Sequence, residues 1–238
     1  MKIFIGCSGW NYKDWRGKFY PEKLAQKNWL EFYSSVFNTV EVNNTFYRFP
    51  RESSLLSWRE TAPEEFNFTL KGSRYITHMK KLNGVEQSVA DFHDAANLLN
   101  DKLSCILWQL PPNLHRNDEK LIDFCKSLNP SDKNVIEFRH LSWYDPEVYE
   151  ILSRFHISFC SISSPDFPDD LICTSKIGYV RFHGEGKNWY DYYYSREQLE
   201  KWHRKIKESG VQEIYAYFNN DIGANAVKNA AELKNLFA

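Results

Sequence analysis

Short runs of alternating apolar and polar residues are separated along the chain by stretches whose apolar residues recur every three or four positions. Period two belongs to a strand with one buried face, and period 3.6 to an amphipathic helix. The strand-like runs are Ile3–Ser8, Thr39–Asn44, Phe66–Lys71, Ser104–Gln109, Val135–Arg139, Ile157–Ser161, Tyr179–His183 and Glu213–Asn219. Helical stripes lie between them, such as Val89, Phe92, Ala96 and Leu99, or Leu121, Phe124, Cys125 and Leu128. Asp145-Pro146 reads as an N-cap with proline at the first helical position, before Val148, Ile151, Leu152 and Phe155. Ser195 and Gln198 have capping-box spacing ahead of Leu199, Trp202 and Ile206, and Gly210 is placed to end that helix. A final stripe runs through Ala226, Ala230, Leu233 and Phe237. Ser163 to Ile177 contains Pro165 and Pro168, shows no stripe, and predicts a loop.

Strand–helix alternation predicts right-handed βαβ units and a parallel sheet. Eight such strands in 238 residues fit an α/β fold of the (β/α)8 TIM-barrel type. We expect a single domain over residues 1–238, with a short or irregular sixth crossover. A doubly wound open sheet is the rival. Central strands of such a sheet are covered on both faces and read as continuously apolar. These runs alternate instead: Val40 and Val42 with Glu41 and Asn43, Phe68 and Leu70 with Thr69 and Lys71, Val180 and Phe182 with Arg181 and His183. A barrel accounts for this if the apolar face meets the helices and the mixed face turns inward.

Net charge is −1 and no basic stripe stands out, so electrostatic binding to nucleic acid is not expected. No apolar run approaches the ~20 residues of a membrane span, and the N-terminus lacks the pattern of a signal peptide. The five cysteines, Cys7, Cys105, Cys125, Cys160 and Cys173, form no C-x-x-C pair and read as buried free thiols of a cytoplasmic protein. His93 and His203 fall on helical stretches, as surface or interfacial residues.

The strand ends carry distinctive strings: Gly6-Cys7-Ser8-Gly9-Trp10, Phe19-Tyr20-Pro21, Val40-Glu41-Val42-Asn43-Asn44-Thr45-Phe46-Tyr47-Arg48, Ile76-Thr77-His78, Gln109-Leu110-Pro111-Pro112, Glu137-Phe138-Arg139-His140 with Trp143, Arg181-Phe182-His183-Gly184, and Tyr217-Phe218-Asn219-Asn220. In this order, over nearly the whole chain, they resemble the YecE-like family, domain of unknown function 72. The resemblance implies a TIM-type barrel and brings no reaction, cofactor or substrate with it.

Active sites of such barrels lie at the C-terminal strand ends. The inward, late-strand residues are Ser8, Glu41, Asn43, Lys71, Gln109, Glu137, Arg139, Arg181, His183, Tyr217 and Asn219. Buried charge is costly without a partner, so these groups read either as a salt-bridge network filling the barrel or as a site. We read Glu137 and His183 as general base and acid. Lys71 would stabilise an oxyanion or, if desolvated beside Arg139, form a Schiff base. Glu41, Asn43, Gln109, Arg139, Arg181, Tyr217 and Asn219 are candidate substrate contacts, joined by Trp10 and Trp189 from aromatic loops after the first and seventh strands. The other loop aromatics are Tyr12, Trp15, Phe19 and Tyr20, and Tyr190, Tyr192, Tyr193 and Tyr194.

Three cations against two carboxylates favour an anionic or polyhydroxyl ligand over a metal, which requires surplus acids. No cofactor and no metal are assigned. A divalent ion on Glu41, Glu137 and His183, with His78 or His140 nearby, remains as an alternative resembling sugar isomerase barrels. A two-carboxylate glycosidase needs the separation of Glu41 and Glu137. The expected function is an intracellular enzyme using acid–base chemistry on a small, polar, anionic metabolite. The competing readings are a non-catalytic sugar- or nucleic-acid-binding protein and a metal-dependent isomerase- or hydrolase-like barrel. Oligomeric state is not readable.

Overall fold

A computed structural model describes every residue except Lys187 and Trp189. The strands are β1 (Lys2–Cys7), β2 (Thr39–Val42), β3 (Asn67–Lys71), β4 (Leu103–Gln109), β5 (Lys133–Glu137), β6 (Ser158–Ser163), β7 (Ile177–Phe182) and β8 (Glu213–Phe218). Their ladders are parallel, in the order β1-β8-β7-β6-β5-β4-β3-β2, with β1 and β2 meeting to bring the ring nearly closed. The fold is the expected α/β TIM-type barrel. Several strands end before the sequence pattern suggests: Asn43, Arg139, His183 and Asn219 lie just past the ladders, at the mouth.

Helices α1 (Trp29–Val36), α2 (Asn44–Tyr47), α3 (Glu52–Thr61), α4 (Glu86–Ala96), α5 (Asp118–Ser127), α6 (Pro146–Arg154), α7 (Arg196–Glu208) and α8 (Asn225–Asn235) occupy the other crossovers and the C-terminus. Local chemistry starts them. Asp145 caps α6 by accepting from the Glu147 amide ahead of Pro146, and Ser195 with Gln198 closes the capping box of α7. Gly210, at φ +71°, follows the end of α7.

The sixth crossover carries no helix, as its prolines predict. Side chains tie it to β6 instead. Thr174 Oγ1 accepts from the Phe159 amide (2.9 Å) and donates to the Ile157 carbonyl (2.6 Å), while Ser161 Oγ accepts from the Ile172 amide (2.9 Å). Leu171 and Ile172 of this loop pack on the apolar layer that helices cover elsewhere.

Alternation sorts two apolar layers. Val40, Phe68, Ile106, Trp108, Ile136, Val180, Ala216 and Phe218 join the helices outside the ring. Inside, Cys105, Leu107, Val135, Cys160, Tyr179, Tyr215 and Tyr217 form a separate cluster. The interior is therefore apolar and aromatic between two ionic levels, a Lys133–Glu213 pair (2.6 Å) at its N-terminal end and a larger layer toward the C-terminal end. Four thiols are buried as expected, but Cys173, in the helix-free crossover, is exposed. His93 is buried, with Nδ1 2.6 Å from the Asp132 carboxylate. No helix among the described residues is long and apolar enough to cross a membrane.

Side chains hold β1 to β2. Near the bottom, the Asn38 amide donates to the Ile3 carbonyl (3.0 Å). In the middle, the hydroxyl of Tyr33, from α1, accepts from the Cys7 amide (2.7 Å) and donates to the Thr39 carbonyl (3.1 Å). At the top, Asn43 Nδ2 donates to the Ser8 carbonyl (3.0 Å). The close approach requires glycine: a Cβ on Gly6 would stand 2.2 Å from the Thr39 carbonyl oxygen. Tyr33→Phe leaves one buried amide and one carbonyl unmatched. We expect it to destabilise the fold by about 1–3 kcal/mol in denaturant unfolding. An unchanged midpoint would remove the hydroxyl from the closure of the ring.

Candidate functional site

The ionic layer centres on Arg181, at the end of β7. Its Nη2 and Nε donate to Glu41 Oε1 (2.7 and 3.1 Å), and its Nη1 donates to Glu137 Oε2 (2.7 Å). Tyr179, one inward position below on β7, donates its hydroxyl to Glu41 Oε2 (2.6 Å). Glu137 Oε1 also accepts from Gln109 Nε2 (3.0 Å) and from Arg139 Nε. Burial by itself would raise the pKa of Glu137, but Arg139 and Arg181 hold it well below the usual carboxylate range. Glu137 is a fixed anion, which argues against the sequence-based expectation of a general base there.

His183 is wholly buried behind Arg139. Arg139 Nη2 stands 3.0 Å from His183 Nε2, and the Asn219 side-chain amide lies 2.9 Å from Nδ1. A guanidinium can only donate, so Nε2 accepts and the neutral ring carries its proton on Nδ1. Asn219 Nδ2 is the atom that faces Nδ1, so a proton on Nδ1 requires the Asn219 amide to turn its oxygen toward the ring. Burial, then Arg139 and Arg181, push the ring's pKa well below its ordinary value. The contact places His183 directly behind the Arg139 guanidinium.

Lys71 differs from both. It ends β3, is 8% exposed, and its Nζ lies 4.3 Å from the centroid of the Phe46 ring. The Thr45 hydroxyl donates to the Lys71 carbonyl (2.7 Å), which pins α2 to the end of β3 and sets Phe46 beside the amine. The His78 ring meets the same phenyl edge-on, at 4.9 Å. Burial, then the charge of Arg181, lower the pKa of Lys71 to about 7. Burial and Lys71 lower that of His78 to about 4. Two guanidiniums cancel two carboxylates in this layer, and the Lys71 charge is left over.

A cavity of about 890 Å³ opens above this layer. Of the residues expected from the sequence, it brings Asn43, Lys71, Gln109, Arg139, Arg181 and Asn219 to its wall. Glu41, Glu137 and His183 lie beneath that surface, wholly buried. Tyr217 sits deeper in the barrel, its hydroxyl 2.7 Å from Thr39 Oγ1 and 2.8 Å from Thr69 Oγ1, held by protein groups below the cavity. Trp10 packs edge-on against Trp58, away from the cavity wall. Trp189 lies outside the described residues.

The first aromatic loop packs mainly as structure: Trp15 and Tyr20 are buried, Tyr20 stacks on Trp29, and Trp15 Nε1 donates to the Asp221 carbonyl (2.9 Å). Its Tyr12, together with Tyr190 from the other loop, lines the cavity. The carboxylates of the alternative metal set are bound by guanidinium groups. His140 is stacked on His115 and bonded to Ser142. Among the described residues no three His, Cys, Asp or Glu side chains are grouped to hold a metal ion.

Sequence reasoning missed Asp221, which lines the cavity beside Tyr12. The Tyr12 hydroxyl donates to the Ser8 carbonyl (2.6 Å), and Asp221 Oδ1 has no hydrogen-bond partner. Burial pushes the pKa of the Asp221 carboxyl well above its usual value, which favours the neutral acid. The signal was available: Asp221 extends the inward series Tyr215, Tyr217 and Asn219 by one more alternate position. His78, Phe46 and Tyr47 come from loops and a short helix, where no such series applies.

A parallel-stranded α/β barrel with a cavity of charged and aromatic side chains at its C-terminal mouth defines the class. The family described as "Protein of unknown function DUF72" matches residues 4–238, and the chain belongs to it. The UPF0759 protein YunF of Bacillus subtilis is 29% identical over 98% of this chain and 94% of its own length. The UPF0759 protein YecE of Escherichia coli is 29% identical over 60% of this chain and 50% of its own. The crystal structure of a DUF72 family protein from Thermotoga maritima superposes with a TM-score of 0.90 at 30% identity, covering 100% of this chain and 99% of that one.

Two stability effects follow. Glu137→Gln leaves Arg139 and Arg181 short of a buried anion and should cost about 3–5 kcal/mol in denaturant unfolding. A loss within the scatter of surface substitutions would discount the network. Lys71→Met should stabilise the fold. Because the folded pKa of about 7 lies below the ordinary lysine value of 10.5, the unfolded chain binds more protons between those values. The ammonium's penalty is therefore full below pH 7 and fades as pH rises toward 10.5. The gain from Lys71→Met should shrink over that window; a gain independent of pH would contradict the desolvated amine.

Proposed function

We propose that this protein is an enzyme acting on a small anionic metabolite at the C-terminal mouth, with the neutral amine of Lys71 as the proton acceptor. The single observation that carries the reading is the charge balance of the mouth. In the ionic layer Arg139 and Arg181 are matched by Glu41 and Glu137, and among the described residues of that layer Lys71 adds the charge beyond neutrality; Asp166 and Asp221 stand on other parts of the cavity wall. A group poised near neutral pH is suited to accept a proton, because both of its forms are populated.

Neutral Lys71 takes a proton from the bound substrate, and the ammonium so formed faces the negative charge created on the substrate. Arg139 and Arg181, on the cavity wall, offer N–H groups to the anionic group. Glu137 and His183 act through Arg139, as positioning residues. Gln109, Asn43 and Asn219 orient polar atoms of the ligand from the cavity wall.

Binding an anion favours the ammonium form, so it raises the pKa of Lys71 and takes up a proton. Titration calorimetry of small carboxylates and phosphates should find affinity falling on the alkaline side of pH 7, by up to about tenfold per pH unit. Lys71→Met should abolish that slope. Affinity that is flat with pH and the same in Lys71→Met, or no anion binding at all, would overturn this reading.

A further inference from the structure

We propose that the cavity forms an imine between Lys71 and a small carbonyl compound carrying an anionic group. This rests on the reading of Lys71 as a neutral amine in an anion site, gives that amine attack on carbon in place of proton acceptance, and narrows the substrate to aldehydes or ketones bearing a carboxylate or phosphate.

Three features place a nucleophile here. Among the described residues no carboxylate or carbonyl accepts a hydrogen bond from Lys71 Nζ, and its nearest recorded partner is the face of Phe46. A lysine held only for charge balance would be expected against Glu41 or Glu137, yet arginines and Gln109 take those oxygens. The amine also faces a cavity large enough for a metabolite, with the His78 ring on the same phenylalanine. Desolvation keeps a large share of the amine unprotonated near neutral pH, and only the unprotonated amine attacks a carbonyl.

The Nζ lone pair attacks the carbonyl carbon, a C–N bond forms, and the carbonyl π pair moves to oxygen. One proton leaves the nitrogen and one reaches that oxygen, giving the carbinolamine. The His78 ring, which shares Phe46 and the cavity wall with Lys71, carries this proton. A second proton, from solvent at the open mouth, lets the oxygen leave as water. The nitrogen lone pair then closes the C=N bond, so one carbonyl compound, one amine and one proton give one iminium ion and one water. The positive iminium lies beside Arg139 and Arg181, and the anionic group of the substrate offsets that charge. This is why the carbonyl compound must be anionic.

Pyruvate and acetone, each with sodium cyanoborohydride, test the idea by intact-protein mass spectrometry and peptide mapping. Hydride adds to the iminium carbon and fixes a secondary amine. We expect one pyruvate adduct, mapped to Lys71, formed faster than the acetone adduct and lost in Lys71→Met. That variant is expected to fold, since it removes a desolvated charge; Lys71→Arg, which keeps the cation, should lose the adduct as well. Adducts confined to other lysines, or equal trapping of the two probes, would overturn the proposal. So would no adduct under conditions where anions bind with the Lys71-dependent pH slope, and the proposed function would then stand without the imine. Absence of that slope as well would remove both.

Discussion

One guanidinium, that of Arg181, holds two carboxylates from distant strands, Glu41 and Glu137, inside the barrel. Taking these ions out of water costs several kcal/mol each, and only close, hydrogen-bonded pairing offsets the loss. The rest of the mouth follows from that requirement. Tyr179 and Gln109 fill remaining acceptor positions, and Arg139 takes the other oxygen of Glu137. Neutral His183, held by Asn219, steadies Arg139 from behind. A layer satisfied this fully is rigid, so it supports a site better than it serves as one.

The layer's upper surface, which faces the cavity, is less fully paired. Lys71 is the cation the carboxylates do not serve, and it is the amine whose charge is easiest to remove. Asp221, on the β8 side of the same cavity, is shifted the opposite way, toward the neutral acid. Environments that push a lysine down and an aspartate up within one cavity provide acid and base forms near neutral pH. The seam between β1 and β2 contributes as well, since Asn43 joins the strands through Ser8 and presents its other side to the cavity. Closure of the ring and shaping of the site are thus partly the same interaction.

Much of this was readable beforehand. The alternation in β2, β3, β5 and β7 separated an outer apolar face from an inner polar one, and it told Glu41, Lys71, Glu137 and Arg181 apart from their neighbours. The prolines at 165 and 168 marked the helix-free crossover. Three kinds of residue were misjudged. Tyr217 has the right parity but lies too low, because parity gives the face and not the depth. Trp10 belongs to a loop, where period two has no meaning, and it turned to Trp58. Asp221 has the right parity but stands beyond the strand, where the pattern is easily abandoned.

By itself the sequence determined the barrel, the order of its elements, and which charges must face inward, because side-chain alternation is a local property of the strand. It could not determine which of those charges are paired. Pairing depends on distances between residues as much as 140 positions apart, such as Arg181 and Glu41. The tertiary structure assigned the carboxylates to the arginines and left the lysine without one. Coulomb energies and desolvation change steeply over a few ångströms, so the difference between an ion held in the network and the lysine left outside it was decided only when the ring came together.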